Sequence, residues 1–406
     1  MTPRRPTVAV VVGAGASVAA GFPQTSDLLQ PVLDALPQRK HILTSTVNCV
    51  TDLHMASAIL DALRTRFNAS DIDFELVIAS LEELMSSSVG RGPVIAAFTS
   101  ANPELAQLFD GGLLAYAHTS AIEAVLEAVR SCSPTSVEQQ ASAQSLIRLL
   151  TCVAQRARVV VVSLNYDTVL DNALTSVDGF IRTARTCYSR FNPENWIATV
   201  ESRSQNLFMH LHGSLRFGFS PITELAPGVP FDEAVKYNVV EDAAESTRGR
   251  VMSHVSVDGQ FLIASPIIAG RHKGAKMLYN VRPYAYYNAT ALQEIATADR
   301  LLVIGYGWRD DHINAWIDEH IRSHAAARVV IVTKRTGKDL FGNTAQERRL
   351  LRLAPTDRRR DSIYEPVAGG SEPLATHGEM GHAYLVATGL PLDPEAQAAV
   401  LSQLLD

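Results

Sequence analysis

Hydrophobic positions along the chain follow two rhythms. Short unbroken apolar runs occur at residues 7–12 (TVAVVV), 158–163 (RVVVVS), 300–304 (RLLVI) and 328–333 (RVVIVT). Runs of this length, rich in β-branched residues, read as strands buried on both faces. A further apolar segment, Leu207-Phe208-Met209-His210-Leu211-His212, reaches Gly213 and predicts another strand end.

Helical spacing fills much of the remainder. Leu28, Leu29, Val32, Leu33 and Leu36 share one face, with Pro31 limiting where that helix begins. From about residue 40 to 155 the chain shows long amphipathic stretches and no convincing strand, including Phe74-Glu75-Leu76-Val77-Ile78 and Ile122, Val125, Leu126, Val129. Thr135 with Glu138 offers a capping box for a helix carrying Leu146, Ile147, Leu149 and Leu150. Asp310 or Asp311 can cap a helix bearing Ile313, Trp316, Ile317, His320 and Ile321. Residues 184–206, rich in Ser, Asn and Arg, read as loops, and 219–257 are weakly patterned.

A strand, a helix and a strand in succession require a right-handed crossover and a parallel sheet. The expected fold is therefore α/β, a Rossmann-like doubly wound parallel sheet with a helical insertion. Residues 1–39 and 156–335 make the sheet domain, 40–155 the insertion, and 336–406 a C-terminal extension.

Composition narrows the function classes. Across 406 residues, 36 Lys plus Arg face 42 Asp plus Glu, for a formal charge of -6, which argues against a general nucleic-acid binder. Hydrophobic residues at 47% supply a large core. The arginines at 348, 349, 352, 358, 359 and 360 are flanked by acids and read as a solvated face. Cys49, Cys132, Cys152 and Cys187 have no short spacing, so neither a disulfide framework nor a paired-cysteine zinc site is written here, and a cytoplasmic location is expected. Arg4 and Arg5 before Val8–Val12 imitate a signal peptide, but Gly13 and Gly15 fit a turn better than a lipid-facing helix. Elsewhere no window has the roughly 18 uninterrupted apolar residues of a membrane span.

Three polar constellations fall just past expected strand ends, where open α/β sheets bind ligands. The first is Gly13-Ala14-Gly15-Ala16-Ser17 with Gly21-Phe22-Pro23 behind it. Glycines let backbone amides approach a pyrophosphate, and a following helix N-terminus adds positive charge, although a plain strand-to-helix turn uses the same residues. The second is Asn165-Tyr166-Asp167, whose amide and carboxylate can reach a ribose hydroxyl or orient a water. Alternatively, Asp167 caps a helix carrying Val169, Leu170 and Leu174. The third is His210-Leu211-His212-Gly213-Ser214. His212 suits acid–base work, with Gly213 leaving room for a substrate, whereas His210, inside the strand, reads as structural. No metal set is completed around the two histidines.

Taken in order, GAGAS with GFP, SLNYD, LHGS and IGYGWRDDHI resemble the sirtuin-like family, over residues 7 to about 335. They are most similar to its bacterial branch of NAD-consuming anti-phage effectors, which carry a helical insertion between the first two motifs. The resemblance implies NAD as substrate. Gly13, Ala14, Gly15 and Ser17 would wrap its phosphates, and Phe22 and Pro23 close over the nicotinamide ribose. Asn165 and Asp167 would lie near that ribose, His212 serve as base or ribose-orienting group, and Gly305, Tyr306 and Gly307 adjoin the adenosine half.

Departures from the family pattern point to the reaction. The Asp-Phe-Arg element of protein deacylases is replaced by Gln24, Thr25 and Ser26, no four-cysteine zinc module can form, and Phe217-Gly218 is followed by Phe219 rather than Glu. No zinc is expected. Without an acyl acceptor, water attacks the anomeric carbon, giving nicotinamide and ADP-ribose. The expected function is a triggered NAD hydrolase of antiviral defence acting by abortive infection, as a homo-oligomer or beside a HerA-like ATPase or other defence protein. A deacylase or ADP-ribosyltransferase, and a non-catalytic NAD-binding scaffold, are the alternatives.

Overall fold

The computed structural model describes residues 5–38, 59–69, 72–90, 111–182, 186–220, 234–248, 254–257, 260–263, 265–270, 272–279, 281–323, 328–333, 372–377, 381–386 and 394–405. Cys49, Arg4 and the arginines from 348 to 360 lie outside them.

Strand β1 (Thr7–Val12) runs into short 3-10 turns at Ala14–Ala16, Val18–Ala20 and Thr25–Leu28, and only then into helix α1 (Leu29–Gln38). Helix α1 thus matches the helix expected over Leu28 to Leu36, and residues 13–17 lead into 3-10 turns rather than directly into it. The described residues between α1 and the next strand are helical or turns, comprising residues 59–64, α2 (Phe74–Gly90), α3 (Gly111–Arg130) and α4 (Val137–Arg156). Helix α4 begins one residue later than Thr135 and Glu138 suggest: Ser136 Oγ accepts from the Gln139 amide, and Gln139 Oε1 accepts from the Ser136 amide. A box needs both partners to reach across the first turn, and this Ser–Gln pair does so.

Next come β2 (Arg158–Ser163), β3 (Ser176–Val177), β4 (Phe180–Arg182), β5 (Tyr188–Phe191), α5 (Pro193–Ser202) and β6 (Asn206–His210). Residues 184–206 were expected to be loops, yet they hold a strand and a helix. Asn192 caps α5, Pro193 fits its first turn, and Trp196 and Thr199 are buried beneath it. Beyond β6 lie β7 (Phe217–Phe219), β8 (Ala234–Tyr237), α6 (Val240–Thr247), the hairpin β9 (His254–Val257) and β10 (Gln260–Ile263), and α7 (Lys273–Tyr279). The chain then forms α8 (Tyr286–Thr297), β11 (Arg300–Ile304), α9 (Asp311–Ser323), β12 (Arg328–Val332), β13 (Glu372–His377), β14 (Gly381–Val386) and α10 (Pro394–Leu405).

Eight strands form the central sheet in the order β13-β14-β12-β11-β1-β2-β6-β3, every pair parallel except β13 with β14 at the edge. Strands β4-β5-β8-β7 make a separate antiparallel sheet. In the main sheet, side chains alternate between two cores. Ala9, Val11, Val160, Val162, Leu301 and Val303 face α8 and α9, while Val8, Val10, Val159, Val161, Leu302 and Ile304 face α4 and α10. Both faces are covered, which is why these strands read as continuous apolar runs, and each fully buried side chain of this size contributes about 1.5–3 kcal/mol. The fold is a Rossmann-like doubly wound α/β sheet. Helices α1, α2 and α3 hold a third core of their own, joined by Phe22, Tyr166 and Leu215 from the loops at the sheet's C-terminal edge.

Candidate functional site

From β1 the chain proceeds outward through β2 and β6 on one side, then returns to fill β11 and β12 on the other. The switch point therefore falls between β1 and β11, and the crevice outside such a point is where doubly wound sheets bind ligands. The loops after β1 and β11 flank it and interlock. The Gly13 amide donates to Ile304 O and the Gly15 amide to Gly305 O, both at 2.9 Å. A β-carbon on Gly305, whose φ is +59°, would lie 2.0 Å from Ala16 N, and one on Gly13 would lie 2.7 Å from Tyr306 Cα. Gly13 and Gly305 are thus required by the close approach of two backbones. Gly15 and Gly307 are exposed at the rim; a β-carbon on Gly15 would still lie 2.8 Å from Gly305 O, whereas one on Gly307 would meet open space.

The first two polar constellations meet at Ser17, which is buried. Asn165 Nδ2 donates to Ser17 Oγ at 3.2 Å, and the Ser17 hydroxyl also bonds the Asp167 carboxylate. Burial pushes the Asp167 carboxyl above its ordinary range, against the hydrogen bonds from Ser17 and the Val169 amide. Asp167 closes a turn; the helix expected over Val169, Leu170 and Leu174 does not form, and Leu170 sits under α4 instead. Asn165 Oδ1 is shut from solvent with no hydrogen-bond partner among the described residues. Phe22 is buried in the helical core with Tyr166, and Pro23 beside it is half-buried.

His212 lies two residues beyond the end of β6 and is buried. It bonds the Leu164 backbone, and its Nε2 has no partner among the described residues, so Nδ1 donates to the Leu164 carbonyl and Nε2 presents a lone pair. Burial, with the nearby Lys273 charge, pulls the imidazole down to about 3, so His212 is neutral at physiological pH. Gly213 does not leave space beside it: its φ is +96°, and a β-carbon there would lie 2.3 Å from Pro266 O. Segment 265–270 fills that room, with the Ile268 amide donating to His212 O at 2.8 Å. His210 is separate. Its Nε2 lies 2.7 Å from Asp171 Oδ1, and Arg216 holds the other carboxylate oxygen.

The structure adds residues that sequence patterns did not single out for chemistry. Lys273 Nζ donates to Glu75 Oε1 of α2 and to Asp310 Oδ1 before α9, each at 2.7 Å. Burial disfavours each charge, but the contacts outweigh it: Lys273 is held above its ordinary value and Asp310 below, so both stay ionised. The Asp310 carboxylate is thus committed to Lys273. His312, on the first turn of α9, has its ring 6.1 Å from that of His212 and packs edge-on to Trp316. Its Nε2 is likewise shut in without a partner among the described residues, and burial, then Lys273, lowers its pKa. Tyr306 faces inward, its single hydroxyl proton shared between Asp310 O at 3.0 Å and Asn314 Oδ1 of α9 at 3.1 Å. Among the described residues no cluster of three or more His, Cys, Asp or Glu could hold a metal, and no helix is long and apolar enough to cross a membrane.

No protein-family model and no curated protein matches the chain. Several solved structures are similar to it, two of them over most of its length. One, from work on the structural basis for the mechanism and regulation of Sir2 enzymes, has a TM-score of 0.34 and 10% identity and covers 84% of this chain and 86% of that one. The other, a mutant Sir2 homologue in complex with 2'-O-acetyl ADP ribose, has a TM-score of 0.30 and 12% identity and covers 80% of each chain.

Proposed function

We propose that the chain is an NAD hydrolase whose site lies at the C-terminal edge of the sheet, where the loops after β1, β2, β6 and β11 come together. The observation that carries this reading is the set of buried, unpartnered polar atoms beside the switch point, Asn165 Oδ1 and His212 Nε2, with Ser17 tying the first two loops together. Buried polar groups are rarely left unpaired, and a ligand rich in hydroxyl and amide donors would satisfy both. The exposed backbone at Gly307, where a β-carbon would meet open space, leaves that part of the rim open for a pyrophosphate. The ordered motifs shared with the sirtuin-like family favour NAD over other dinucleotides.

In this reading the bond from the ribose anomeric carbon to nicotinamide breaks, its electron pair leaving with the neutral base, and a water oxygen bonds to that carbon and releases a proton. Asn165 orients the water through its free carbonyl while Ser17 fixes its amide end. A histidine with a pKa near 3 is a weak base at neutral pH, so His212 orients ribose hydroxyls rather than taking the proton. The resemblance to the NAD-consuming defence branch supports reading the activity as that of a triggered antiviral effector; because unrestrained NAD loss is toxic, it would be held in check by self-assembly or by a partner such as a HerA-like ATPase.

The test is chromatographic measurement of nicotinamide release from NAD by the purified chain and by Asn165→Ala, with and without an acetyl-lysine peptide. Release that needs no peptide and disappears in the variant supports hydrolysis. Release that rises only with acyl-peptide turnover supports a deacylase, and bound but intact NAD supports a scaffold.

A further inference from the structure

We infer that His312 is a second substrate-contacting residue, which together with His212 seats the cis-diol of the nicotinamide ribose. The inference rests on the NAD reading above and extends it to a residue of α9.

Three features converge. The two imidazole rings lie 6.1 Å apart, and each keeps its Nε2 closed to solvent without a partner among the described residues. They come from different elements, His212 from the loop after β6 and His312 from the first turn of α9, so the pair exists only once the fold is assembled. Lys273 lies close enough to both rings to act on each electrostatically, and its charge is fixed by Glu75 and Asp310.

That neighbouring cation selects the ligand. A metal ion between the two histidines would meet the Lys273 ammonium, and no third carboxylate, cysteine or histidine completes a metal cluster among the described residues. An anion is no better suited, because neutral His212 offers a lone pair at Nε2 and no proton there. The ligand must therefore bring an uncharged donor to His212. Hydroxyls donate and accept, so a vicinal pair satisfies His212 and either tautomer of His312. In NAD the nicotinamide ribose carries such a diol beside the scissile bond, and the peptide unit that anchors His212, the Leu164 carbonyl, leads directly into Asn165.

The experiment measures the affinity of wild type, His312→Ala and His312→Gln for carba-NAD, which keeps both ribose hydroxyls but resists hydrolysis, and for ADP, which lacks the nicotinamide ribose. His312→Ala is expected to weaken carba-NAD about five- to tenfold, the worth of one hydrogen bond, and to leave ADP unchanged. His312→Gln keeps a donor and an acceptor and recovers most of the loss. Equal weakening of both probes, or unchanged carba-NAD affinity in a wild-type protein that binds it, overturns the diol assignment alone. A wild-type protein that binds neither probe overturns the NAD reading and this assignment with it. Thermal melting of each variant shows whether the Trp316 contact, and hence α9, survives.

Discussion

The ammonium of Lys273 lies 2.7 Å from Asp310 Oδ1, and the same nitrogen lies 2.7 Å from Glu75 Oε1 of α2. One cation thus joins the helical layer to the loop that follows β11, within electrostatic reach of His212 and His312. Removing it would leave two carboxylates facing each other with little solvent, since the Asp310 side chain is 13% exposed and that of Glu75 26%. Lys273→Met is expected to cost about 3 kcal/mol, the lower end for breaking a buried pair because Glu75 is partly wet. Adding Glu75→Gln should return part of that loss, a coupling read from a double-mutant cycle of denaturant midpoints.

His212 makes a pH prediction whose sign follows from its lowered pKa. The unfolded imidazole takes up its proton near 6.5 and the folded one only near 3, so below pH 6.5 the unfolded state binds more protons. The stability contributed by the neutral folded ring is complete above pH 6.5 and is lost as the pH falls, by at most about 1.4 kcal/mol per unit, until about pH 3. In His212→Asn that slope disappears. Urea titrations of both proteins at pH 7.5 and 5.5 should show their stability difference shifting in favour of the variant at the lower pH. The acid limb of nicotinamide release, correspondingly, should not fall near 6.5; a limb there that vanishes in His212→Asn would show that the ring titrates normally.

The two outer glycines of the loop after β11 should behave differently. Alanine at Gly305 would have to adopt a φ of +59° with its β-carbon 2.0 Å from Ala16 N, against backbone that cannot swing away. Gly305→Ala is expected to cost more than about 3 kcal/mol and to abolish ligand binding by prising the two loops apart. At Gly307 a β-carbon meets open space, so Gly307→Ala should hold its melting temperature, with a change within about 0.5 kcal/mol. Equal melting temperatures for the two variants would mean that the loops do not interlock as described.

What could be read from the chain beforehand divides along physical lines. The runs at 7–12, 158–163, 300–304 and 328–333 announced the parallel sheet because burial on both faces is written residue by residue. Helix α5 went unseen because its buried side is set by Trp196 reaching Thr290, 94 residues away. Lys273 carried no local signal either: its partners are 198 and 37 residues distant, and only the folded chain makes them neighbours. Gly213 was noticed for the wrong reason, since sequence shows that a β-carbon is missing but not which backbone needs the space. His312 stands within IGYGWRDDHI, yet its ring contact with His212 depends on how α9 meets the end of β6.

The sheet's own anchor supplies a stability prediction remote from the site. Arg158, the first residue of β2, donates two parallel hydrogen bonds to Glu294 of α8, at 2.8 and 3.1 Å, and a third to Gln205 O at 3.0 Å. Both side chains are at most 4% exposed. Glu294→Ala would leave a guanidinium that cannot lose its proton buried against apolar strands, at an expected cost of about 3–5 kcal/mol. Arg158→Met with Glu294→Leu removes both buried charges, leaving only Arg203, which also reaches Glu294 at 3.2 Å but is 32% exposed, without that partner, and should lie much closer to wild type. Denaturant midpoints decide this, with nicotinamide release per folded molecule expected to stay constant.

Asn165 separates chemistry from binding. Its amide end is fixed on Ser17 at 3.2 Å while its carbonyl end is buried and unpaired among the described residues, so the side chain is oriented before any ligand arrives. If that carbonyl orients the attacking water, its loss should act on turnover far more than on affinity. Asn165→Ala is expected to lower nicotinamide release about 100-fold or more, the scale for removing one pre-oriented polar group, while carba-NAD affinity changes less than about threefold. Asn165→Asp keeps the oxygen but loses the amide that donates to Ser17, and it sets a carboxylate near the already crowded Asp167. It should therefore turn over poorly as well. An Asn165→Ala protein that releases nicotinamide at the wild-type rate would remove Asn165 from the reaction and leave its buried carbonyl to a binding role alone.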